Sequence, residues 1–86
     1  MKKIPKKLFD AFVDESRLLM QTGIGNHKRF LIAGELEKAT GIGYPWFAQL
    51  VDSLIAGNGF NPDAENDEIY SVLRICGWEV VDDGKE

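Results

Sequence analysis

Two copies of Thr-Gly-Ile-Gly, at residues 22–25 and 40–43, constrain this chain more than any other feature of its sequence. Glycine readily takes the left-handed conformation that closes a helix, and two glycines so close together halt a regular helix, so the chain must be assembled from short segments. The copies start eighteen residues apart, which invites a reading as an internal duplication. Both stand where a helix has to stop, however, and glycine chemistry accounts for them without a repeat.

Between these stops the apolar spacing is that of helices. Pro5 suits a first helical position, and Leu8, Phe9, Phe12, Val13, Leu19 and Met20 form the stripe of an amphipathic helix over roughly 5–22. Lys28–Ile32, "KRFLI", is short and rich in β-favouring types and reads as a strand. A short helix over 33–40 turns Leu36 and Ala39 inward. Pro45 then opens a third helix whose inner face is Phe47, Leu50, Val51 and Leu54.

At 86 residues the chain is expected to be a single domain over 1–86 with one small core, a basic arm at 1–4 and an acidic tail at 82–86. With 44% hydrophobic and 28% charged residues it has the composition of a soluble globular protein. There is neither a run of about 20 apolar residues nor a signal-peptide pattern, so a cytoplasmic protein without membrane contact is expected. A lone Cys76 and a lone His27 supply neither an internal disulfide nor a four-ligand zinc site.

Charge is distributed unevenly. Residues 1–38 carry eight Lys or Arg against five Asp or Glu, whereas residues 39–86 carry two against nine. The basic half suits phosphate or an acidic partner; the acidic half would be repelled by a polyanion.

The segment "ELEKATGIGYPWFAQLVDSLIAGNGF", residues 35–60, resembles the helix-turn-helix and following turn of winged-helix repressors of the multiple-antibiotic-resistance type. Leu36, Ala39, Gly41, Ile42, Phe47, Leu50, Val51, Leu54, Gly59 and Phe60 occupy that family's structural positions, with one extra residue in the "AGNG" turn. The resemblance implies a mostly α fold with a small β-hairpin, a winged-helix-like helix-turn-helix domain with a short strand between the first two helices. It also implies DNA as the partner, read by the third helix. That helix departs from the pattern: its exposed positions are Gly43, Pro45, Trp46, Ala48, Gln49, Asp52 and Ser53, and no Lys or Arg occurs between Lys38 and Arg74. Base edges and phosphates need donors and positive charge; Gln49 alone could make a bidentate base contact there.

An aromatic pair stands where the basic residues would be. Tyr44 and Trp46 open the third helix, and exposed Trp and Tyr are frequent anchors of protein interfaces. The competing reading folds Trp46 back over the domain and packs Tyr44 on Pro45. Trp78 and Cys76 read as core residues.

The C-terminal third admits two readings. Asn61 and Pro62 could start a helix burying Ile69, Val72, Leu73 and Cys76, stopped by Gly77 before a strand "WEVV". Alternatively, "EIYSVLRI" is a strand that Gly77 turns back into "WEVV" as a wing. The resemblance favours the wing, although Arg74 is its sole basic residue.

Catalytic and cofactor motifs are lacking. There is no Walker loop, nucleophile elbow or dinucleotide fingerprint, and adjacent carboxylates such as Asp14 and Glu15 point apart on a regular element. A non-enzymatic protein without cofactors is expected.

Three readings follow. In the first, the chain is an acidic interaction module that binds a protein partner through Tyr44, Trp46, Gln49, Asp52 and Ser53. Such a module suits a regulator, adaptor or inhibitor of nucleic-acid machinery, including one of mobile-element type. In the second it is a small DNA-binding regulator, a homodimer using Lys2, Lys3, Lys6, Lys7, Lys28 and Arg29 on phosphates and Gln49 on bases. In the third it is a structural subunit that oligomerises through exposed aromatics.

Overall fold

The structure, a computed structural model, describes residues 2–25, 27–58 and 66–82, with backbone only at positions 44, 57 and 58. Its elements in chain order are β1 (Lys2–Pro5), α1 (Lys6–Thr22), α2 (His27–Thr40), α3 (Tyr44–Asn58), α4 (Asp67–Ile75) and β2 (Trp78–Val81). The chain is thus mostly helical with a small two-stranded sheet.

The two Thr-Gly-Ile-Gly segments close α1 and α2 in the same way. Gly23 and Gly41 are left-handed, at φ 71° and 79°. Each donates its N–H to the carbonyl four residues back, Leu19 and Glu37, at 2.7 Å. Thr22 and Thr40 donate their hydroxyls to Leu18 and Leu36 and accept the N–H of Ile24 and Ile42. Carbonyls left over at a helix end are thereby satisfied. The isoleucines have different fates: Ile42 packs against the core, whereas Ile24 is 71% exposed.

The sheet differs from the hairpin expected from the resemblance. β1 and β2 pair in parallel, Lys2 with Trp78 through Pro5 with Val81. "WEVV" is the expected strand, but its partner comes from the other end of the chain. Residues 2–4 of the expected basic arm correspondingly belong to a strand, and Ile4 is fully buried and holds β1 in the core. Met1 lies outside the described residues, as do 83–86 of the expected acidic tail.

The expected strand at 28–32 is instead the first part of α2. Arg29, Ala33 and Leu36 are its buried residues, a spacing of one helical face. Because that face opens on an arginine, the apolar stripe is cut short in the sequence and the β-favouring Phe30, Leu31 and Ile32 dominate. Ala39, expected to face inward, is exposed.

The segment read as half of a wing is α4. Ile69 and Leu73, four apart, are buried, and Asp67 and Glu68 in the first turn suit the helix dipole. The helix begins at Asp67, and Asn61 and Pro62 lie outside the described residues. It ends at Ile75, so Cys76 falls in the turn and is exposed, contrary to its reading as a core residue.

The core gathers Ile4, Phe9, Phe12, Val13, Ala33, Leu36, Phe47, Val51, Ile55, Ile69, Leu73 and Trp78 from all six elements. Phe9 lies at its centre, with its ring 6.3 Å from Phe47 on α3 and 6.2 Å from Tyr70 on α4. Full burial of a phenylalanine stabilises by about 1.5–3 kcal/mol, so these rings carry much of the fold.

Two polar networks join the helices. Asp10 on α1 accepts hydrogen bonds from Lys6 at 2.9 Å, from the amide of Asn66 at 3.1 Å and from the hydroxyl of Tyr70. Burial would raise the Asp10 pKa, but the bonds from Tyr70, Lys6 and Asn66 outweigh it and hold the carboxyl below its usual range. Arg29, nearly buried, donates to Ser16 on α1 at 2.9 Å and to Asp52 on α3 at 3.1 Å. Its guanidinium also lies 4.8 Å from the centre of the Phe12 ring, so α1, α2 and α3 meet at this one side chain.

Candidate functional site

The first turn of α3 is set by the turn before it. The N–H of Trp46 donates to the carbonyl of Gly43 at 3.2 Å, and Pro45 occupies a position where its missing N–H costs nothing. This starts the helix so that Phe47, Val51 and Ile55 face the core. Trp46, Gln49, Leu50 and Ser53, at i, i+3, i+4 and i+7, then form the neighbouring stripe.

That stripe is one wall of an open cleft of about 420 Å³ that is also lined, among the described residues, by Cys76, in the turn between α4 and β2. The indole of Trp46 lies edge-on to Phe47 at 5.4 Å between ring centres, and 6.3 Å from Trp78. It therefore partly folds back over the domain yet remains 40% exposed, whereas Trp78 is buried as expected. Leu50 supplies apolar surface, while the Gln49 amide and Ser53 hydroxyl supply hydrogen-bonding groups beside it. These lining side chains include no acid–base pair, and the arrangement is one for holding a ligand of mixed apolar and polar character.

Three of the five expected interface residues, Trp46, Gln49 and Ser53, thus share one cleft. Asp52 does not join them: it turns to Arg29 and serves the helix junction. The Tyr44 side chain lies outside the described part of the structure. Sequence reasoning missed Leu50 and Cys76 as lining residues. Leu50 packs against the core, as its place on the inner face predicts, and its remaining surface lines the cleft. The exposure of Cys76 follows from the end of α4, for which Gly77 at φ 94° was the available signal.

The expected phosphate contacts are dispersed. Arg29 is 6% exposed and already engaged with Ser16 and Asp52, which removes it from that set. Lys6 is paired with Asp10 and stands 5.7 Å over the Tyr70 ring; the carboxylate raises the lysine's pKa. Lys28 approaches Glu15 at 3.6 Å, and Lys2 lies 5.4 Å over Trp78. Lys3 and Lys7 are exposed and make no ion pair among the described residues.

Acidic groups are spread over the C-terminal elements. Asp67 and Glu68 begin α4, and Glu79 and Asp82 lie in and just beyond β2. Among the described residues, no three His, Cys, Asp or Glu side chains gather to hold a metal ion, and no helix is long and apolar enough to cross a membrane. Comparison of the chain with protein-family models, with curated proteins and with solved structures gave no match.

Proposed function

We propose that this chain is a non-enzymatic interaction module that binds a protein partner at the cleft formed by Trp46, Gln49, Leu50, Ser53 and Cys76. The observation that carries the reading is the convergence of exposed Trp46 with Gln49 and Ser53 on one concave surface. A half-exposed tryptophan beside hydrogen-bonding side chains is the usual makeup of an interface anchor. The acidic balance of residues 39–86, nine Asp or Glu against two Lys or Arg, favours a partner with a basic surface, which fits a regulator, adaptor or inhibitor acting on nucleic-acid machinery.

Helices α2 and α3, joined through residues 41–43, support reading the frame as a winged-helix-like helix-turn-helix whose wing is replaced by a parallel strand pair. That frame has lost its means of reading DNA: α3 carries no basic residue, Arg29 is buried, and Lys6 and Lys28 are paired within the molecule.

The test has two arms. A fluorescent mixed-sequence duplex titrated from low to physiological salt should show no binding; micromolar affinity with a log–log salt slope of about −3 or steeper overturns the reading in favour of the lysines. A photo-crosslinker at Ser53 should capture a partner that is not captured from Glu35 on α2 and is lost in Trp46→Ala. Equal capture from both positions overturns the assignment of the cleft, and capture of this same chain favours an oligomerising subunit.

A further inference from the structure

The two strands present unequal outer edges. In a parallel ladder the N–H and C=O of one residue point to the same side, and residues alternate. The N–H of Lys2 donates to the carbonyl of Gly77 at 3.2 Å, and Lys2 is level with Trp78. It follows that Glu79 and Val81 point their backbone groups at β1, while Trp78 and Val80 point theirs away. Among the described residues those outward groups have no backbone partner. On β1 the outward residues are Lys3 and Pro5, and Pro5 has no N–H to offer.

Lysine and proline are the residues with which edges are protected against strand addition, and β1 carries Lys2, Lys3 and Pro5. The β2 edge, Trp-Glu-Val-Val, is β-branched and aromatic with a single charge. Glu79 is level with Lys3, yet among the described residues it forms no ion pair. The Trp46 ring lies 6.3 Å from that of Trp78, at the start of this same edge, and Cys76 of the cleft precedes it by two residues.

We propose that β2 accepts an extended segment of the partner protein as a third strand. That segment is paired to the backbone of Trp78 and Val80, has a Lys or Arg beside Glu79, and sets an apolar side chain against the Trp46–Trp78 pair. This rests on the reading of the Trp46 cleft as a protein-binding site and names how the partner enters it. Strand addition supplies affinity through main-chain bonds and selectivity through alternate side chains. A basic rather than acidic segment is required because residues 39–86 carry nine acidic against two basic side chains. A second copy of this chain is the poorer occupant. The antiparallel two-fold register that bonds all the outward groups of Trp78 and Val80 sets Glu79 directly opposite its own copy, where like charges repel.

The probe is an acetylated pentapeptide, Val-Lys-Val-Lys-Val, with two controls: the same peptide N-methylated along one edge, and one with Glu in place of Lys. Binding is read by calorimetry and tryptophan fluorescence on the full chain. The unmodified peptide should bind, and both controls should bind at least tenfold more weakly. Val80→Pro removes an N–H that faces outward, a position where edge strands accept proline, and should lower affinity at least tenfold with the fold retained by circular dichroism. Glu79→Lys changes a side chain alone and should reverse the preference to the Glu peptide, which keeps the question decidable if Val80→Pro does not fold. Absence of binding up to millimolar peptide, or equal binding of the N-methylated peptide, overturns strand addition. Loss of binding in Trp46→Ala with no effect of Val80→Pro or Glu79→Lys overturns it too, while leaving the cleft as the protein site. Duplex binding in the salt titration overturns the underlying reading instead. A dimer of the free chain that Val80→Pro dissociates would give the edge to a second copy and refute the proposal.

Discussion

Replacing Arg29 with methionine tests whether this residue is a strut or a nucleic-acid contact. Arg29 is 6% exposed, and its guanidinium bonds Ser16 at 2.9 Å and Asp52 at 3.1 Å and covers the Phe12 ring at 4.8 Å. Methionine preserves most of the packed stem but leaves the Ser16 hydroxyl, itself fully buried, without that donor, which costs about 1–3 kcal/mol. Loss of the contact with Phe12 adds roughly 0.5–2 kcal/mol. Asp52 adds little, because its side chain is 38% exposed and water takes over the carboxylate. Relief from burying the guanidinium charge works in the opposite direction, so a net loss of about 2–4 kcal/mol is expected. For a chain of this size that is a drop in Tm on the order of 10–25 °C. Asp52→Asn, which keeps one acceptor oxygen, should cost about 1 kcal/mol, and the double variant should be little worse than Arg29→Met alone. Thermal unfolding of the four proteins, followed by circular dichroism, gives the cycle. A change in Tm below about 3 °C for Arg29→Met, or full additivity of the two substitutions, would refute the view of this group as the junction of three helices.

Asp10→Asn should destabilise the chain at neutral pH by about 1–3 kcal/mol, because three hydrogen bonds to a carboxylate are weakened together. The Asp10 pKa is lowered in the folded state, so its contribution is present above the unfolded value of about 3.9 and is lost as pH falls through the folded value. Denaturant melts of wild type and variant should therefore converge below about pH 4; a gap that widens on acidification contradicts the assignment. Gly23→Ala and Gly41→Ala should each cost about 1 kcal/mol through backbone conformation alone, since an added Cβ meets nothing within 4 Å at either position. By contrast Ile42→Ala should destabilise clearly more than Ile24→Ala, and equal losses would mean that Ile24 is not exposed. Amide hydrogen exchange should alternate along β2, with Glu79 and Val81 protected and Trp78 and Val80 fast; uniform protection would close the outer edge.

The helices that read most easily from the sequence are those whose inner face opens on an apolar stripe. In α1 and α3 the stripes through Phe9, Phe12 and Val13 and through Phe47 and Val51 leave no competing period. α2 was half lost because a buried arginine stands where its stripe needs a leucine, and no sequence pattern announces that Ser16 and Asp52 will partner it. Arg29 and Asp52 look like surface residues in the sequence for the same reason: a charge that finds its counterpart in another helix is indistinguishable there from a free one. The C-terminal third failed differently. Ile69 and Leu73 did signal a helix, but "WEVV" needed a partner, and a nearby hairpin is the partner that sequence proximity suggests. A parallel partner is necessarily remote, so the pairing of β1 with β2 left no local trace. Trp46, Gln49 and Ser53 were legible as a group because they lie on one short helix, whereas Cys76 entered the cleft only through the packing of α4.

The pairing of β1 with β2 also sets the order in which the molecule can be completed. It joins the first and last described elements, so its loop closure spans nearly the whole chain, and such contacts form slowly compared with the local contacts of helices. α1, α2 and α3 meet through neighbours close in sequence and can assemble beforehand. The strand pair is then a clasp that shuts late and opens early. Trp78 and Cys76 belong to the clasp while Trp46 and Leu50 belong to the helices beneath it, so the cleft is whole only while the clasp is shut. A ligand that bridges the two parts slows its opening, and occupancy of the site should lengthen the lifetime of the native state in proportion.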